Sequence, residues 1–72
     1  MPSPSEPRLL NKLARVVRRH RLDAGLTQEE ASHRAGISVR HYQSLEAGNL
    51  NASIVVVAAV AHVLKINLGE LG

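Results

Sequence analysis

The stretch Leu26-Thr27-Gln28-Glu29-Glu30-Ala31-Ser32-His33-Arg34-Ala35-Gly36-Ile37-Ser38-Val39-Arg40-His41-Tyr42-Gln43-Ser44-Leu45-Glu46-Ala47-Gly48 decides the fold. It reads as two short helices joined by one tight turn at Gly36. Thr27 and Ser38 each place a hydroxyl where a helix begins, able to accept from a backbone amide that has no helical partner. Glu30, three residues after Thr27, completes a capping box. Gly36 permits the turn between them, the second ends near Ala47 before Gly48, and Gly25 supplies a left-handed cap to the helix upstream. In the second helix Tyr42, Leu45 and Glu46 share an inner face, and Arg40, Gln43 and Ser44 project the other way. A short helix with an apolar inner face and short polar or basic groups outside suits the DNA major groove.

Upstream, residues 8–24 carry apolar side chains at helical spacing. Leu10, Leu13, Ala14 and Val17 fall on one face; Arg8, Lys12, Arg15 and Arg19 fall opposite. Residues 1–7 hold three prolines and two serines and are expected to form a flexible arm. Downstream, 49–52 reads as a loop. Ser53 caps a helix over 54–64, and Asn67 caps a last short turn over 68–71. The expectation is an all-α domain over 8–72 with helices at about 8–24, 28–35, 39–47, 54–64 and 68–71.

Composition sets outer bounds. Seventy-two residues are one small domain, and the absence of cysteine removes any disulfide or thiolate metal site. Tyr42 is the sole aromatic residue, so the core must be aliphatic. The net charge of +3 favours a polyanion partner, and six of the nine basic residues lie between Arg8 and Arg21. No apolar segment reads as a signal peptide or membrane span, so a cytoplasmic protein is expected.

Two charges sit on inward faces. Arg21 follows Val17 by four residues on the apolar side of the first helix, and Glu46 follows Tyr42 by four in the third. An unpaired buried charge is very costly, so the economical arrangement is an Arg21–Glu46 pair tying the first helix to the third.

Arg21, Gly25 to Glu30, Ala35 to Ser38 and Tyr42 to Gly48 together resemble the Cro and phage-repressor type of helix-turn-helix domain, the xenobiotic-response-element family. The resemblance covers about residues 8 to 71. It implies a compact five-helix bundle acting mostly as a dimeric bacterial or phage transcription regulator. It also implies the same ion pair between Arg21 and Glu46. By position, Val39, Arg40, Gln43 and Ser44 match the family's base-reading residues, and Gln28 matches its backbone-contacting glutamine. Arg40 suits a guanine edge, Val39 a thymine methyl and Gln43 an adenine. Ser38, His41, Asn49 and Asn51 are further candidates for the DNA backbone. The chain departs from the family at Ala31, Ser32 and Ala35, where two larger aliphatics are usual. Its loop 49–52 lacks the common basic residue and proline, and Lys65 stands where glycine is usual.

The helix over 54–64 is apolar nearly all round. Ile54, Val57, Val60, Ala61 and Leu64 can face the monomer core, leaving Val55, Val56, Ala59 and Val63 to be covered by something else. A second copy of the chain is the expected cover, making a homodimer on double-stranded DNA. The alternative is an antitoxin-like or other protein-docking module that uses this helix to hold a different protein. His20, His33, His41 and His62 do not cluster with carboxylates at ligand spacing, and no nucleophile has a base and an orienting group. No metal, cofactor or catalysis is expected.

Overall fold

The computed structural model describes residues 7–49, 54–67 and 69. They form four helices: α1 Pro7–Asp23, α2 Gln28–Ala35, α3 Val39–Glu46 and α4 Ile54–Leu64. There is no strand among the described residues. The expected count of five helices is corrected to four. Of the expected last turn, 68–71, only Gly69 is described. Its amide donates to Asn67 Oδ1 at 2.9 Å, a local turn bond. It reaches back two residues to a side chain, whereas a helical bond reaches back four to a carbonyl. The expected arm lies outside the described residues except Pro7, which opens α1 where a missing amide costs nothing.

Capping chemistry sets the helix starts. Thr27 Oγ1 accepts from the Glu30 amide at 3.0 Å, while Glu30 Oε1 accepts from the Thr27 amide at 2.9 Å. The bond from the Thr27 amide, with the Thr27 hydroxyl adding to it, holds the Glu30 carboxyl below the ordinary range. Ser38 Oγ accepts from the His41 amide at 3.0 Å.

All four helices end in the same way. Just past each helix one amide donates five residues back: Leu26 to the Arg21 carbonyl, Ile37 to Ser32, Asn49 to Ser44 and Ile66 to Ala61. The preceding residue must then be left-handed. Gly25, Gly36 and Gly48 fill that place in the first three, and Lys65 fills it in the fourth with φ 56°. The lysine therefore keeps a conformation that normally favours glycine. Gly48 has a second constraint, because a Cβ there would lie 2.7 Å from Asn11 Oδ1.

The core is aliphatic around one tyrosine. Val17, Leu26, Ala31, Tyr42, Leu45, Val60, Ala61, Leu64 and Ile66 form it. α1 packs on α3 and α4, and α2 packs on the same two helices. The small side chains of α2 meet this packing: Ala31 and Ser32 are buried, and the Ser32 hydroxyl donates to the Glu29 carbonyl at 2.9 Å. A buried hydroxyl is thereby satisfied within its own helix.

Candidate nucleic-acid interface

The Arg21–Glu46 contact anchors the outer surface. Arg21 Nε donates to Glu46 Oε2 at 2.6 Å and Nη2 donates to Oε1 at 3.2 Å, a two-pronged pair. Nη1 donates to the Leu26 carbonyl at 2.9 Å, tying in the α1–α2 turn. The side chains are only 10% and 4% exposed. Burial by itself would raise the Glu46 carboxyl, but the Arg21 hydrogen bond, with help from Tyr42 and Gln28, holds it below the ordinary range. The same hydrogen bond, donated to Glu46, raises the Arg21 guanidinium. Burial also pushes the Tyr42 phenol up, and the Glu46 carboxylate beside it adds to that. The Tyr42 hydroxyl lies against this pair but completes no hydrogen bond of full geometry.

Gln28, the first residue of α2, extends the pair outward. Its Nε2 donates to Glu46 Oε1 at 3.2 Å, and its Oε1 accepts from Gln43 Nε2 at 3.2 Å. Arg21, Glu46, Gln28 and Gln43 thus form one chain of polar contacts from the core to the surface of α3. They line, with Arg18 and Ala47, an open recess of about 420 Å³.

Arg18 is the residue that sequence reading missed. Helical periodicity separated an apolar face from the stripe of Arg8, Lys12, Arg15 and Arg19, and Arg18 belonged to neither. The available signal was its place three residues before Arg21 on one helical edge. Only the docking of α1 beside α2 and α3 turns that edge into part of the recess.

On α3, Tyr42 and Leu45 are fully buried, whereas Val39, Arg40, His41 and Gln43 are exposed and Ser44 is half-buried. Ser38 is exposed beside them, its oxygen already accepting the cap bond. Asn49 is exposed just past α3, and Asn51 lies outside the described residues.

The outward row of α4 is rotated from the sequence expectation. Val55 is 73% exposed. Ala58 and His62, spaced three and four residues on, are also exposed. Val56 and Ala59 are partly covered, and Val63 already packs against the core. Burial of both Val60 and Ala61 turns the helix this far. No helix among the described residues is long and apolar enough to cross a membrane, and no group of three or more potential metal ligands occurs among them.

Comparison with known proteins agrees with this geometry. Residues 17–71 match the family described as helix-turn-helix. An uncharacterized HTH-type transcriptional regulator, y4dJ, from Sinorhizobium fredii is 38% identical over 53 residues, covering 74% of this chain and 69% of its own. Another uncharacterized HTH-type transcriptional regulator, from Methanothermobacter thermautotrophicus, is 35% identical over 49 residues, covering 68% and 71%. No solved structure gives a match of comparable strength.

Proposed function

The chain belongs to the Cro/C1-type helix-turn-helix family of DNA-binding transcription regulators, and from that premise we propose that it reads a specific, near-palindromic operator as a homodimer. The observation that supports sequence reading is the division of α3: a wholly buried Tyr42 and Leu45 face, and an opposite face exposing Val39, Arg40 and Gln43. In this reading α3 enters the major groove. Arg40 donates twice to guanine, Gln43 addresses adenine, Val39 meets a thymine methyl and Ser44 adapts to its neighbour. Gln28 has one amide proton left for a phosphate. Arg18, Ser38, His41 and Asn49 flank the groove as backbone contacts, and Asn51 is a further candidate by its place in the sequence. Such contacts set register without carrying sequence information. The reading involves no catalytic step, and such a regulator works in the cytoplasm, where its DNA lies.

Pairing follows from α4. So few reading side chains give one copy little affinity, and the exposed Val55 offers an apolar surface for a partner. A two-fold dimer would hold the reading helices about 34 Å apart, one turn of DNA. The second reading, a protein-docking module of the antitoxin kind, draws on the same exposed valine.

In vitro selection of bound DNA by the purified chain tests the proposal. An enriched near-palindrome, with a dimer in sedimentation, is the expected result. A chain that stays monomeric and enriches no site overturns it and favours the docking reading.

A further inference from the structure

We infer that Arg15 and Arg18 of α1 form a phosphate track that grips neighbouring phosphates of one DNA strand beside the last turn of α3. This rests on the DNA-reading role proposed above and assigns it a source of cations. Lys and Arg contacts to phosphate supply most of the affinity of a DNA-binding surface.

Charge along the sequence poses the problem. Arg40 stands in the first turn of α3, but between Arg40 and Lys65 the chain has no lysine or arginine. The last turn of α3 and the segment after it therefore bring no cation of their own to the backbone that borders the groove.

The docking of α1 brings two. Asn11, Arg15 and Arg18, spaced four and three, share one exposed edge of α1. Arg18 lines the recess of about 420 Å³ that holds Gln28, Gln43, Glu46 and Ala47. Arg15 lines an adjoining recess of about 390 Å³ with Asn11, Ala14, Glu46 and Ala47. Both open at the C-terminal end of α3. The edge is seated closely there, because Gly48 leaves room for Asn11 Oδ1 where a Cβ would collide with it.

No anion of the protein neutralises this edge. Glu46 borders both recesses, but its Oε2 accepts from Arg21 and its Oε1 from Arg21 and Gln28. Neither Arg15 nor Arg18 pairs with a carboxylate among the described residues. Two neighbouring guanidiniums, each able to fork onto phosphate oxygens, therefore face outward beside the reading helix. Phosphates recur every 3.4 Å or so of axis along one strand, close enough for neighbouring cations to take one each. Arg19 is also exposed but borders neither of these recesses; it lies beside Val16 and His20 and adds only to the long-range field.

Titration of the full chain with the selected operator at several salt concentrations tests the track, using Arg15→Ala, Arg18→Ala, the double variant and Arg19→Ala. Each phosphate contact contributes about 0.9 to the fall of log affinity with log salt. The double variant should therefore lose about 1.8 of that slope for each protomer bound. Arg19→Ala should barely move it. Lysine in place of both arginines should keep the slope, because the charge remains. An unchanged slope in the double variant, or an equal change in Arg19→Ala and Arg15→Ala, overturns the track. A second readout locates the contact. Neutralising two adjacent phosphates of one strand, as methylphosphonates, should weaken the wild-type chain and leave the double variant unaffected. Equal weakening of both proteins at every phosphate pair overturns the contact. A wild-type chain without a preferred site overturns the operator reading, while the salt slope on an arbitrary duplex still judges the track.

Discussion

Arg21 and Glu46 join the end of α1 to the last turn of α3, with the shorter contact 2.6 Å between Nε and Oε2. The arginine also holds the Leu26 carbonyl. One side chain therefore ties together the first helix, the turn that launches α2 and the helix proposed to read DNA.

Removing one partner should cost more than an ordinary surface pair. Glu46→Ala strands a guanidinium that is 10% exposed, and a loss of about 3 kcal/mol is expected in urea unfolding. A loss below about 0.5 kcal/mol, the level of exposed pairs, would contradict this.

The same pair gives the domain an acid limb. The native Glu46 carboxyl lies below its ordinary 4.5. The unfolded chain therefore takes up a proton first on acidification. The stabilisation is complete above the ordinary value and disappears as pH falls through the depressed native one. Melting temperature against pH should fall through that acid range in the wild-type chain, with a smaller drop in Glu46→Gln. Equal slopes in the two proteins would contradict the assignment.

Lys65 closes α4 in a conformation that costs an L-residue about 1–2 kcal/mol. Glycine relieves this but adds freedom to the unfolded chain. Lys65→Gly should therefore stabilise the domain by about 1 kcal/mol in thermal unfolding. Destabilisation would show that the lysine side chain contributes more than its backbone costs.

Arg40 and Arg18 should fail differently. Arg40→Ala should relax discrimination at one base pair by about 1–3 kcal/mol. Arg18→Ala should weaken all sites alike and lower the salt dependence by about one phosphate contact. Titrations on matched and mismatched operators at several salt concentrations separate the two; swapped signatures would reverse the assignment.

Val55 is exposed enough for a charge to be tolerated in the monomer. Val55→Glu should leave folding intact, shift sedimentation to monomer and weaken operator binding steeply. A variant that remains dimeric would place the interface elsewhere.

Local chemistry made much of this legible in the sequence. Thr27, Glu30 and Ser38 announce the starts of α2 and α3 because capping needs only neighbours along the chain. Gly25, Gly36 and Gly48 announce three of the stops for the same reason. The inward positions of Arg21 and Glu46 follow from helical periodicity and the cost of an unpaired buried charge.

Tertiary structure decided the rest, because it depends on how one helix is rolled and seated against another. The seating of α1 brings Arg18 to the recess shared by Gln28 and Gln43. The roll of α4 draws Val63 to the core and leaves Val55, Ala58 and His62 outward. Periodicity names the face of a helix to within about one residue, and one residue is 100° of rotation, enough to change which side chains meet.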